Sequence, residues 1–210
     1  MSTNQAKNVL DFYLFTTKLK EIIRSGWKQW NVPSKRLESV AEHIFGTIML
    51  AIAIDSEYSY DIDIQKVALM LSIHELEEII ISDITPFDGI SDEQKAIMGH
   101  EAIKKVLSPL FKGYSYETLI LEFDSRSTPE AKFAFMCDKL EANLMSDIYD
   151  KNGDCTYDNA TEYLKKNPAI VSLSENGKYG MGDCFYNLEL SLNRLDNNFK
   201  EVLKVAKETI

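Results

Sequence analysis

Apolar side chains recur at three- and four-residue spacing along nearly the whole chain, while no run of alternating β-branched residues points to a sheet. Phe12, Phe15, Leu19 and Ile22 set the pattern, and comparable patterns run through about 38–56, 62–82, 91–111, 114–124, 129–150 and 183–208. Ser91-Asp92-Glu93-Gln94 has the form of a capped helix start, and Thr128-Pro129-Glu130 puts proline at a first helical position. Breaks fall at Trp30-Asn31-Val32-Pro33-Ser34, Pro86-Phe87-Asp88-Gly89 and Asn152-Gly153-Asp154. With no long linker, low-complexity tract or fixed-period repeat, the spacing predicts one all-α domain over 1–210.

The 210 residues suffice for one sizeable core, and an apolar fraction of 45% makes disorder a poor reading. The longest apolar run, Ile44 to Ile54, is too short for a bilayer, which needs roughly 20 residues. The first eight residues lack the apolar core of a signal peptide. Cys137, Cys155 and Cys184 are odd in number and widely spaced, which suits reduced thiols. A cytoplasmic protein with no membrane partner is the expectation. A net charge of −10 with thinly spread basic residues disfavours nucleic-acid backbones. It leaves room for a small phosphorylated substrate, since a bound metal supplies positive charge that the formal count omits.

Two stretches imitate ligand loops. Gly177-Lys178-Tyr179-Gly180-Met181-Gly182 lacks the Gly-Lys-Ser/Thr ending of a phosphate loop and has no strand before it, so it reads as an ordinary loop. Asp150-Lys151-Asn152-Gly153-Asp154 starts like a calcium loop. Cys155 then stands where the sixth-position glycine belongs, and Thr161 where the bidentate glutamate belongs, so a solvated turn is expected.

Three residues suggest chemistry. His43 ends Glu38-Ser39-Val40-Ala41-Glu42-His43, His74 opens His74-Glu75-Leu76-Glu77-Glu78, and Asp138 lies in the apolar run Phe135-Met136-Cys137-Asp138-Lys139-Leu140. Neighbouring helical residues point about 100° apart, so His74 and Glu75 both reach a metal at the helix edge when other helices complete the set. Glu78 follows His74 by one turn, and Asp83 lies near the break at Pro86. Each residue alone also suits a blander role: the histidines as hydrogen-bonded core residues, Glu77-Glu78 as a solvated face. Asp138 is the most telling, because a buried carboxylate needs a cation or several donors. His100 has no comparable setting and reads as a surface residue.

Taken together and in order, these blocks resemble the HD-domain metal-dependent phosphohydrolases. They are Gly26-Trp27, Glu38 to His43, His74 to Ile84, and Glu130-Ala131-Lys132-Phe133 leading to Asp138-Lys139-Leu140-Glu141-Ala142. The likeness is nearest to the branch of 5'-deoxynucleotidases and small HD-domain-containing proteins. It spans about 10–150, leaving 151–210 as a C-terminal helical extension. What the resemblance implies is an all-helical fold, a homodimer, and one divalent metal (Mn, Co, Zn, Fe, Ni or Mg) held by His43, His74, Glu75 and Asp138. Two-metal relatives carry further histidines, and only His100 is available here. Glu78 and Asp83 match the acidic catalytic residues, with Glu78 orienting the water and Asp83 protonating the leaving oxygen, or the two roles exchanged. Trp27 matches a tryptophan near the nucleotide pocket. Arg24 is the first choice for the phosphate contact, with Arg36 or Lys35 the second. The implied activity is a phosphomonoesterase on (deoxy)nucleoside 5'-monophosphates using a metal-activated water. Alternatives are another nucleotide substrate (cyclic, triphosphate or guanosine tetraphosphate) and a catalytically weak sensing or assembly module. One departure stands out: the family's His-Asp doublet is His74-Glu75 here, and the extra methylene moves the carboxylate by about a bond length.

Overall fold

In the computed structural model, which describes residues 2–210, the chain is helical with no strand among the described residues. It opens with α1 (Ser2–Thr16), a 3-10 turn at Thr17–Lys20 and the short α2 (Ser25–Gln29). Next come α3 (Val40–Glu57), α4 (Ile64–Ile73), α5 (Glu78–Ile81), α6 (Asp92–Leu107) and α7 (Gly113–Ser125). The long α8 (Pro129–Asp150) is followed by α9 (Glu162–Lys165), α10 (Pro168–Leu173), α11 (Met181–Leu192) and α12 (Asn197–Thr209). No described helix is long and apolar enough to cross a membrane.

Capping chemistry sets the helix starts. Ser39 and Glu42 form a reciprocal capping box on α3, as Ser91 and Gln94 do on α6. Asp63 caps α4, and Thr128 caps α8 with Pro129 in the first turn. Pairing these loops, an isolated antiparallel bridge joins Ile23 to Ser39, with Val40 N–H donating to Ile22 O (2.8 Å) and Arg24 N–H to Glu38 O (3.1 Å). That bridge ties the segment carrying Arg24 and Trp27 to the start of α3.

Helix α8 is the axis of the molecule, with α3, α4, α7, α11 and α12 packed around it. Ala51, Met70, Leu71, Phe133, Leu140, Phe199 and Leu203 form its main core. A second core gathers Trp27, Trp30, Leu164, Ile170 and Met181; a third gathers Leu19, Val40, Leu76, Ile103 and Ile120.

Two patterns that read as single helices are divided. The 62–82 pattern breaks after Ile73, where the His74 ring bonds the Leu71 carbonyl and the next residues turn through i→i−3 bonds such as Leu76 N–H to Ile73 O. The 183–208 pattern breaks at Asn193 (φ 49°), after which Asp196 caps α12. Similarly, the Phe12–Ile22 face leaves the α-helix at Thr16 and continues through the 3-10 turn. The calcium-like stretch is a turn: Asp150 accepts the Cys155 and Gly182 backbone N–H groups, and Gly153 adopts φ 71°.

Candidate metal centre

The break after Ile73 builds one side of the centre. His74 closes α4 with Nδ1 2.7 Å from the Leu71 carbonyl, an acceptor, so Nδ1 carries the proton and Nε2 the lone pair. Buried Nε2 has no hydrogen-bond partner and lies 3.6 Å from Glu75 Oε1. His43 enters from α3, fully buried, with Nε2 3.2 Å from Asp138 Oδ1 of α8 and 3.7 Å from Glu75 Oε1. One ligand atom each from His43, His74, Glu75 and Asp138 lies within 4.8 Å of the others. Two imidazoles and two carboxylates suit a first-row divalent ion, and an orphaned, buried imidazole lone pair aimed at a carboxylate is what such an ion would satisfy. The residues fit the metal that the doublet implies. Glu75, despite its extra methylene, keeps its carboxylate inside the group.

Electrostatics around the centre are strongly polarised. Arg24 Nη1 lies 3.5 Å from Glu75 Oε1, 3.5 Å from Asp83 Oδ1 and 4.0 Å from Glu78 Oε1, so one guanidinium faces three acids. Burial opposes ionisation of Glu75, but His74 and Arg24 outweigh it and hold the carboxyl down at about 2. Burial likewise opposes ionisation of Asp138, and Lys139 and His43 pull it well below the usual range. Glu78 goes the other way. Its oxygens are buried and unpartnered, and burial with Glu75 and Asp83 alongside pushes it well above the usual carboxyl range. Asp83 is anchored by the Ser25 N–H (2.5 Å), while its own carbonyl accepts the Ser25 hydroxyl (2.8 Å).

The centre opens into a cavity of about 540 Å³ whose walls include Arg24, Trp27, Glu75, Glu78, Asp83 and Asp138. Trp27 contributes a buried wall, only 2% exposed. Its ring packs on Phe185 (5.6 Å between centroids) and Tyr149 (5.3 Å), and its indole N–H is committed to Glu38 Oε2 at 2.9 Å. Arg36 does not join the cavity walls: it is exposed, ion-paired with Glu42 at the start of α3, and so is spent on a surface pair. Lys35, the other second choice, is absent from those walls as well. His100 pairs with Asp124 at 2.9 Å, away from the centre.

Several residues at the site escape sequence reasoning. Lys95, Lys139 and Arg194 line the cavity, and Phe185 comes from α11, beyond the ordered motif blocks. Glu141 bonds His43 Nδ1, and Glu38 stands beside it. Burial and the neighbouring Glu141 push the Glu38 carboxyl up to about 7, against the pull of His43. A signal for Glu141 existed, since it follows Asp138 by three residues and shares its helix face. Nothing local marks Arg194 or Phe185.

Comparison with known proteins agrees with this geometry. The family described as HD domain matches residues 16–173. The 5'-deoxynucleotidase HDDC2 of Bos taurus is 30% identical over 152 residues, covering 71% of this chain and 72% of that protein. The Danio rerio protein of the same name is 31% identical over 148 residues, covering 69% and 70%. Among solved structures, a conserved hypothetical protein from Pyrococcus furiosus superposes with a TM-score of 0.68 at 22% identity, covering 95% of this chain and 99% of that one, a likeness of fold. With helices, motif order and buried His/acid cluster in agreement, the chain belongs to the HD-domain family.

Proposed function

We propose that this chain is a divalent-metal-dependent phosphohydrolase, a phosphomonoesterase acting on (deoxy)nucleoside 5'-monophosphates. The observation that carries the reading is the convergence of four metal-ligand atoms at a cavity also lined by Arg24, Lys139 and the unpartnered acid Glu78. The 5'-deoxynucleotidase names of the relatives support the substrate class.

His43, His74, Glu75 and Asp138 would hold one divalent ion, which when bound supplies Lewis-acid polarisation of a phosphoryl oxygen and lowers the pKa of a water. Arg24 and Lys139 place positive charge at the cavity wall, where they bind and orient the phosphate. Glu78 keeps its proton through burial, which suits delivery from its carboxyl to the departing sugar oxygen. Asp83, held by Ser25 and facing Arg24, orients that guanidinium and the attacking water. This is the exchanged assignment of the two acids. Trp27 shapes the wall from behind, with Phe185 of the C-terminal extension against it, so 151–210 acts as part of the same unit. Iron, manganese, cobalt, nickel and zinc all suit the nitrogen and oxygen donors, magnesium less well. Association as a homodimer is carried as part of this proposal; Phe45, Met49 and Ile52 form an exposed apolar strip on α3 that suits it.

Phosphate release from a panel of nucleoside mono-, di-, tri- and cyclic phosphates, with chelator and with added manganese, cobalt or zinc, tests the reading. The expected result is metal-restored release from 5'-monophosphates and its abolition in His74→Ala. Full activity in His74→Ala, or hydrolysis confined to cyclic or triphosphate substrates, would sink it.

A further inference from the structure

We propose that Glu141 is a positioning residue of the metal centre, holding His43 by Nδ1–H so that Nε2 faces Asp138 and Glu75, with Glu38 and Trp27 bracing it from behind. The inference rests on the metal reading above and deepens it. Glu141 sits on α8, 5% exposed, and His43 Nδ1 donates to its Oε2. Among the described residues its one basic partner is His43. A buried carboxylate so placed fixes both the tautomer and the angle of the imidazole.

Two further observations show that the arrangement is built. Gly46 follows His43 by three residues on the same face of α3. A Cβ at Gly46 would lie 2.6 Å from Glu141 Oε1 and 3.0 Å from its Cγ, so the bare glycine makes the space that the carboxylate fills. Behind it, oxygens of Glu38 and Glu141 lie within 4.8 Å of each other and of a His43 ring nitrogen. Glu38 is pinned three ways: its side chain by the Trp27 indole N–H (2.9 Å), its carbonyl by Arg24 N–H (3.1 Å), and its N–H by the Tyr149 hydroxyl (2.8 Å). Trp27, expected to meet the nucleotide, thereby acquires a second task as the far end of a hydrogen-bonded line that reaches His43.

Cobalt(II) alone is the probe. Its affinity is measured by competition with a chelator and its visible d–d band recorded, for the full chain and for Glu141→Gln, Gly46→Ala and Glu57→Gln, with melting of each metal-free protein alongside. Glu141→Gln and Gly46→Ala should weaken cobalt binding about ten- to a hundredfold and shift the band, while the metal-free proteins melt near wild type. Glu57→Gln, at the exposed end of α3, should change neither. Wild-type affinity and band in Glu141→Gln overturn the proposal, as does an affinity loss that merely follows loss of fold in both Glu141→Gln and Gly46→Ala. A wild-type chain that binds cobalt but releases no phosphate from 5'-monophosphates refutes the substrate reading and leaves this one standing.

Discussion

At the residue scale, Glu75 decides how far the family pattern applies. Its carboxylate lies between Arg24, His74 and His43 at 3.5–3.7 Å, so the surroundings are set for the longer arm. Shortening it to aspartate retracts the oxygens by about 1.5 Å, one carbon–carbon bond. Glu75→Asp is therefore expected to weaken cobalt binding about tenfold by chelator competition, although it restores the family's residue. Glu78 gives a pH signature. Its folded carboxyl titrates well above its ordinary value of 4.5, so above that value the folded state keeps a proton that the unfolded chain has lost. Stability of the metal-free protein should therefore fall as pH rises from about 4.5 through the raised value. Glu78→Gln removes this dependence, so the variant should melt above wild type at pH 8 while losing phosphatase activity; melting curves at pH 5 and pH 8 decide the matter.

Among the elements, the turn between α4 and α6 places the acids. Ser82 ends α5 with φ 64° and ψ 170°, a conformation that glycine alone adopts without strain, and Asp83 follows directly. Ser82→Gly should raise stability by roughly 1 kcal/mol in urea unfolding, the relieved strain exceeding the added chain entropy. A close backbone approach matters at the start of α7. A Cβ at Gly113 would sit 2.2 Å from the Leu107 carbonyl oxygen. Backbone cannot yield as a side-chain tip does, so Gly113→Ala should displace α6 from α7 and lower stability by about 2 kcal/mol by the same measurement.

Over the whole molecule, the C-terminal helices belong to the core that holds the site. Phe199 of α12 is fully buried against Phe133 of α8 at 5.3 Å and Tyr60 at 6.2 Å. Phe199→Ala should cost about 3–5 kcal/mol in chemical denaturation, the range for truncating a fully packed aromatic. Because α8 also carries Asp138 and Glu141, the same variant should weaken cobalt binding, linking a distant packing defect to the metal centre.

Much of this architecture was legible locally. The periods, the Ser39, Ser91 and Thr128 caps and the order of His43, His74, Glu75 and Asp138 are properties of neighbouring residues, and an all-helical chain with a metal-type cluster follows from them. Local pattern failed where a bond outside the period intervened. The His74 ring taking the Leu71 carbonyl ended a helix that periodicity would have continued. What only the tertiary structure decided is which long-range partners meet: Arg24 with three acids, Glu141 with His43 across 98 positions, Phe185 behind Trp27, and Arg36 turned away to Glu42. The reason is physical. Helical spacing fixes the face on which a side chain lies, whereas the partner facing it is fixed by how whole helices pack around α8.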